Sequence, residues 1–322
     1  MSLTTRAISE GPAVVEWNGL NFYTTDTINL TPNIALREMI SSYYGRVDSR
    51  VTDKSFALSF TPIGMMADNA AKYFPWGAAD VGKLLMPETD LPIVIWTSAG
   101  EKITIPAGMI MQPPQLILGT DRGPMGQMQM MGLSDIAIAD AAANAHYKIE
   151  TAAITAHTLN PDEAPTPAYV AELGEGGGAD EIDSEEGFVF DLGATVVPRM
   201  VNRYGTFQLK LTGLTPSVAF APFGQSEAEV MDLVNIQGAS AAKLGASNKL
   251  GKKLTIKPAE AEAKGITIVF ADCQVQSGSM LFGMEDPRHG QYAFIPSVGF
   301  SGGAPTALYT ITFPTFGGGG EE

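Results

Sequence analysis

Phe60-Thr61-Pro62-Ile63-Gly64 and Phe220-Ala221-Pro222-Phe223-Gly224 stand 160 residues apart and share Phe, Pro and Gly at the same three places. The match runs backwards without a gap, with Tyr44-Gly45 over Tyr204-Gly205 and Thr52 over Thr212. Downstream the offset drifts, as small loop insertions would cause: Gly77-Ala78 lies over Gly238-Ala239, Ile103-Thr104-Ile105 over Ile266-Thr267-Ile268, and Gly119 over Gly283. Ordered self-similarity of this kind points to a duplicated unit, and the shared residues are those that punctuate turns and strand ends. The alternative is two unrelated β segments with common turn punctuation.

Each copy reads alike. Val47, Ser49 and Val51 alternate with Arg46, Asp48, Arg50 and Thr52, and Phe207, Leu209 and Leu211 alternate with Thr206, Gln208, Lys210 and Thr212. Period two is the mark of a half-buried strand. The apolar parity then moves to Leu58 and Phe60, and to Val218 and Phe220. A turn or bulge near Asp53-Lys54 and near Gly213-Leu214 must re-aim the chain, most economically as a hairpin. Residues 65–73 with 77–85, and 226–234 with 238–244, predict one short helix per copy. A second hairpin follows, Pro92-Ile93-Val94-Ile95-Trp96 turning at Thr97-Ser98-Ala99-Gly100 into Glu101-Lys102-Ile103-Thr104-Ile105, with its counterpart at 253–257 and 265–273. Further strands are predicted at 115–118, 127–131, 280–282, 292–295 and 308–313. The expected fold is mainly β: two tandem antiparallel β-sandwich or open-barrel domains, each with a short flanking α-helix.

Composition narrows the function. The chain has 322 residues and a net charge of −15, which disfavours sequence-independent attraction to nucleic acid or anionic membranes. Only 17% of residues are charged while 45% are hydrophobic, so part of the surface is expected to be covered by self-assembly. Gly 35 and Pro 21 favour short strands and turns. One cysteine, Cys273, excludes an intramolecular disulfide and a multi-Cys metal site. The N-terminal stretch lacks the pattern of an export signal, and no apolar run reaches the length of a membrane span, so a soluble protein is expected. Eleven acids and no Lys or Arg lie between Lys148 and Arg199, interleaved with Pro and Gly. That segment reads as an acidic linker over 156–187, separating a first domain at 27–155 from a second at 188–316. Residues 1–26 read as an N-terminal arm carrying Trp17, Phe22 and Tyr23, and 317–322 as a Gly-rich tail.

The motifs of catalysis are near misses. Gly77-Ala78-Ala79-Asp80-Val81-Gly82-Lys83-Leu84 resembles a phosphate-binding loop but lacks the Ser or Thr after Lys83 and follows Pro75-Trp76 in place of a strand. Gly299-Phe300-Ser301-Gly302-Gly303 matches a nucleophile elbow, yet no histidine follows His289. His146, His157 and His289 have no helical ligand spacing, and Cys273 sits in an apolar strand, where burial is the expected role. Met125, Met128, Met130 and Met131 read as adaptable packing, by preference between subunits. No enzyme, metal or cofactor is expected.

The order strand, hairpin, Phe-x-Pro-x-Gly, helix, apolar hairpin and Pro-Gly-punctuated strands resembles the tail tube (major tail) proteins of long-tailed bacteriophages and related contractile devices. The stretch from Phe60 to Gly119 carries it, above all Leu91-Pro92-Ile93-Val94-Ile95, the Gly100 turn and Gln112-Pro113-Pro114-Gln115-Leu116-Ile117-Leu118. The resemblance implies a virion protein, assembled in the host cytoplasm, whose sandwiches close side by side into stacked six-fold rings. Two such folds per chain imply a homotrimer with pseudo-six-fold symmetry. Its lumen would house the tape-measure protein and conduct DNA without binding it, and tail terminator and tail tip proteins would meet the ends. No membrane partner is implied. Candidate lumen-facing residues are Arg46, Asp48, Arg50, Thr52, Thr206, Gln208, Lys210 and Thr212; candidate inter-ring loops are Asp53, Lys54, Gly213 and Leu214. One variant keeps only 27–150 as tube and makes 188–316 an exterior decoration. The rival expectation is a carbohydrate- or host-binding β-sandwich module of a virion, whose aromatic platform would come from Tyr73, Trp76 and Trp96.

Overall fold

A computed structural model describes residues 13–24, 27–63, 70–85, 91–97, 100–119, 125–133, 148–151, 167–174, 180–184, 186–201, 205–223, 252–277, 291–296, 300–301, 304–305 and 307–314. The chain is mainly β, in several antiparallel sheets. The first half opens with β1 (Val14–Trp17) and β2 (Leu20–Thr24), joined at Asn18-Gly19, both with positive φ. That pair suits the tight two-residue turn whose twist matches the flanking strands. Next come β3 (Asn29–Ser41), β4 (Gly45–Phe60), β5 (Pro62–Ile63), a single helical turn α1 (Ala70–Tyr73) and β6 (Leu84–Leu85). The half ends with β7 (Ile93–Trp96), β8 (Glu101–Ile105), β9 (Ala107–Gln112), β10 (Leu116–Leu118), β11 (Met128–Leu133) and β12 (Lys148–Thr151).

The second half holds β13 (Tyr169–Leu173), β14 (Asp180–Ser184), β15 (Phe188–Asp191), β16 (Ala194–Val201), β17 (Gly205–Leu214), β18 (Ser217–Phe220) and β19 (Pro222–Phe223). It continues with β20 (Lys252–Pro258), β21 (Thr267–Ser277), β22 (Tyr292–Pro296), β23 (Phe300–Ser301), β24 (Ala304–Pro305) and β25 (Thr310–Thr312).

Strand pairing in the first half recurs in the second. One sheet runs β12-β8-β7-β1-β2-β5, and the second half contains the same path as β25-β21-β20-β13-β14-β19. The other sheet of the first half, β3-β4-β11-β9, has its counterpart in β15-β18-β22-β21. Registers repeat as well as neighbours. Tyr23 faces Ile63 and Thr24 faces Pro62; Asp183 faces Phe223 and Ser184 faces Pro222, each 160 residues on. Asn29 opposite Ser59 and Ser41 opposite Gly45 recur as Val189 opposite Ala219 and Val201 opposite Gly205, at the same offset.

In the first half the two sheets pack face to face, and glycine sets how closely. Gly108 and Gly132 stand opposite each other on β9 and β11. A Cβ on Gly108 would lie 2.2 Å from Ile93 Cγ1, and one on Gly132 would lie 2.6 Å from Ile105 Cγ2. Both isoleucines are fully buried, so they fill the space a larger residue would take.

One core runs through both halves. Trp17, Phe22, Phe60, Met128 and Met130 belong to the same buried cluster as Phe188, Phe190, Phe220, Phe270 and Phe294. Phe74 of the first half meets Phe190 of the second edge to face at 5.8 Å. The junction is also hydrogen-bonded: β10 pairs with β15, Gln115 Nε2 donates to Asp191 Oδ2 at 2.8 Å, and the Tyr309 hydroxyl donates to the Trp76 carbonyl at 2.9 Å. A short tripeptide strand from the first half thus becomes the outermost strand of the second half's ten-stranded sheet.

Several sequence expectations are corrected. Among the described residues of the first half no flanking helix stands beyond α1 and a 3-10 turn at Ala78–Asp80; 65–69 of the first expected helix and the helix expected at 226–244 lie outside the described residues. Trp17 and Phe22 are core residues of β1 and β2, so 13–24 is not an arm, and residues 1–12 lie outside the described residues. The acidic segment is not a plain linker, because β13 runs between β14 and β20 with Tyr169, Ala171 and Leu173 buried. Its acids were read by charge alone, while Tyr169-Val170-Ala171-Glu172-Leu173 carries the apolar residues that decide burial. The strand expected at 280–282 and the tail at 317–322 lie outside the described residues.

Two predictions follow from this packing. Gly108→Ala forces Cβ into Ile93 and is expected to lower unfolding stability by about 1–3 kcal/mol, measured by chemical denaturation. Burial pushes the phenols of Tyr169 and Tyr309 up from 10.0 to about 12. Raised folded-state values make stability fully present below pH 10 and lost as pH climbs from about 10 towards 12. Phenolate absorbance should therefore rise together with alkaline unfolding.

Candidate assembly surface

The β3–β4 and β16–β17 hairpins present the same ribbon in two environments. β11 pairs with β4 only over Ser55–Phe60, so beyond Ser55 β4 has no second hydrogen-bonded neighbour among the described strands. In the second half the corresponding stretch of β17 is paired on that side by β6, Leu209 with Leu85 and Lys210 with Leu84. Gly82 N–H donates to the Leu211 carbonyl at 2.8 Å, and Leu211 N–H donates back to the Lys83 carbonyl at 3.3 Å.

Two bulges decide which side chains share a face. In β4 the register against β3 skips Val47 and Thr52; in β17 the register against β16 skips Phe207 and Thr212, the positions 160 residues later. Each extra residue shifts the alternation by one. One face of the first ribbon therefore carries Ile34, Leu36, Glu38 and Ile40 with Ser49 and Arg46 across from them, and the Arg46–Glu38 ion pair at 3.0 Å lies on it. The same face of the second ribbon carries Ala194, Val196 and Pro198 with Thr206, Leu209 and Leu211. The opposite faces carry Arg37, Met39 and Asp48 in the first ribbon and Val197, Arg199, Gln208 and Lys210 in the second.

Burial separates the two ribbons sharply. Leu209 is 0% and Thr206 1% exposed where their counterparts Ser49 and Arg46 are exposed, and across from them Ile34 (63%) and Leu36 (51%) are exposed where their counterparts Ala194 and Val196 are half-buried. The tip of the first ribbon ends in Tyr43 and Tyr44, both exposed, their rings edge to face at 4.7 Å. Both of their amides donate to the Ser41 hydroxyl oxygen, at 3.2 and 3.3 Å, which holds the turn. The Arg46–Glu38 pair is half-exposed and adds little stability.

The eight residues expected to line a lumen do not share one face. Asp48, Gln208 and Lys210 lie on the face away from the buried leucines, and Arg50 stands in register with Arg37. Arg46 lies on the apolar face and Thr206 is buried, because the bulges at Val47 and Phe207 break the alternation read from sequence. Thr52 and Thr212 are themselves bulge residues, the latter donating its hydroxyl to the Thr195 carbonyl at 3.1 Å. Asp53, Lys54, Gly213 and Leu214 are not loop residues. They continue β4 and β17, paired with Ala35, Ile34, Thr195 and Ala194, and the parity switch that suggested a turn is the bulge beside them. Sequence reading missed β3 and β16 altogether, and with them the true turn at Tyr44-Gly45, although that dipeptide was the first of the repeat.

The remaining motifs find structural explanations. The phosphate-loop look-alike closes on its own carboxylate: Gly77 N–H and Lys83 Nζ both donate to Asp80 at 2.9 Å, which together hold that carboxyl below its ordinary range. Ser301 lies on β23, paired with Ala304 on β24, where an elbow would need a helix. Cys273, Met125, Met128 and Met130 are buried within the chain, and Met131 is half-buried on β11. Tyr73, Trp76 and Trp96 are buried too, so they form no exposed aromatic platform. The three histidines lie outside the described residues. Among the described residues no group of three or more His, Cys, Asp or Glu is placed to hold a metal, and no helix is long and apolar enough to cross a membrane.

The contrast between ribbons is measurable. Leu211→Ala is expected to cost about 2–5 kcal/mol of unfolding stability, and Leu36→Ala on the same face no more than about 0.5 kcal/mol in dilute solution. No protein-family profile and no curated protein matches this chain.

Proposed function

We propose that this chain is a structural protein of a phage-like tail tube, built from two tandem copies of a tube-type β domain. The observation that carries the reading is the exposed apolar face of the first ribbon beside a twin whose second strand, through Thr206, Leu209 and Leu211, is buried against the rest of the chain. A polypeptide that buries one copy of a surface and exposes the other is built to associate with more of itself. Three chains, each supplying two copies, close a ring with pseudo-six-fold symmetry, and rings stack into a tube. The faces bearing Arg37 and Asp48, and Arg199, Gln208 and Lys210, line the lumen in this arrangement. They mix both signs of charge, and the chain as a whole is acidic, which suits a conduit that houses a tape-measure protein and lets DNA slide past without holding its phosphates. Tail terminator and tip proteins cap the ends.

Negative-stain microscopy of the concentrated protein tests the reading. Rings or stacked tubes with a central hole are expected. Compact particles that bind glycans and never form rings would favour the carbohydrate-binding alternative instead.

A further inference from the structure

We infer that the contact joining the two halves within one chain is the template for the contact between chains, so that a second copy docks its second half, head to tail, on the β3–β4 ribbon. The inference deepens the tube reading and rests on it for the identity of the partner. Positions equivalent by register in the two halves stand in unequal environments.

Two places on the second half receive backbone from the first. Val189 on β15 is paired by Ile117 of β10, and Leu209–Leu211 of β17 is paired by residues 82–85. The equivalent places on the first half are Asn29–Thr31 of β3 and Ser49–Val51 of β4. Among the described strands each of these is paired on one side only, β3 by β4 and β4 by β3. Side chains follow the backbone: Phe190, under β10, is buried, while its counterpart Leu30 is only partly so. Leu209, beside the strand from 82–85, and Thr206 on the same β17 lie buried, while their counterparts Ser49 and Arg46 are exposed, and Leu36 across from them on β3 faces solvent where its counterpart Val196 is half-buried.

An edge with no second strand among the described residues, beside an apolar face, asks for a strand and for apolar cover together. The chain already shows one solution to that requirement, given by its first half to its second. A second copy can give the same solution to the first half only by presenting its second half, which makes the contact heterologous. Heterologous contacts propagate from chain to chain until rotation closes them.

Three readings on the full-length chain test this surface. Leu36→Glu with Ile40→Glu places two carboxylates on the exposed face; both sites are solvent-exposed, so the unfolding midpoint should match the parent. Self-association measured by sedimentation should weaken roughly a hundredfold or more, as expected for carboxylates forced into an apolar contact. Met39→Glu, on the opposite face, should leave association within about threefold of the parent. Amide hydrogen exchange at 29–31 and 49–51 should slow on association. Ile40→Cys, oxidised by itself, should give no disulfide-linked dimer, because the two-fold contact that would bring Ile40 to Ile40 is absent from a head-to-tail chain. The surface is wrong if the parent stays monomeric at every concentration. It is equally wrong if Met39→Glu disrupts association as much as the double variant, if association leaves the 29–31 and 49–51 amides unprotected, or if Ile40→Cys cross-links to itself. Finite oligomers abolished by the double variant, with no tubes under the microscope, would uphold the surface and defeat the tube reading; tubes that survive the double variant would do the reverse.

Discussion

The structure depends on how sheet edges are satisfied. A strand at an edge carries a row of amides and carbonyls that water serves less well than another backbone, and apolar side chains beside it raise the stakes. This chain meets that demand at the join between its halves with two short pieces of the first half, β10 and the 82–85 stretch, laid against β15 and β17. Those few hydrogen bonds are accompanied by Phe74 against Phe190 and by the Tyr309 hydroxyl on the Trp76 carbonyl. Removing the join would expose Phe190, Leu209 and Leu211 together, so the two halves fold as one core and not as beads on a string.

How much of this was legible in the residues depended on what kind of signal each element carries. The repeat was readable because Tyr-Gly and Phe-x-Pro-x-Gly sit at turns and strand ends, where backbone geometry tolerates few substitutes. The β7–β8 hairpin was readable from its apolar run and its turn. By contrast, β3 places Leu30, Ile34, Leu36 and Ile40 at alternate positions, but Pro32 and Glu38 interrupt them, Ala35 and Met39 blur the opposite face, and nearly all of the strand is exposed. The β1–β2 hairpin did carry a strong signal, Asn18-Gly19 between apolar residues, which the reading of 1–26 as an arm passed over.

The candidate surface was legible in part. The alternating residues of β4 and β17 were identified, but the assignment of sides failed wherever a bulge intervened, since one extra residue turns a polar position towards the core, as at Thr206. Charge misled in the acidic segment for a related reason. Eleven acids dominate its composition, yet β13 needs only Tyr169, Ala171 and Leu173 on one side to be drawn between two strands, leaving Glu172 to meet Lys257.

The paired bulges have a geometric consequence. An extra residue on one strand of a ribbon bends it and tightens its right-handed coil. Because the second strand of each ribbon is interrupted at the same two stations, both ribbons are given one common curvature, as the staves of a cask are all cut to a single bow.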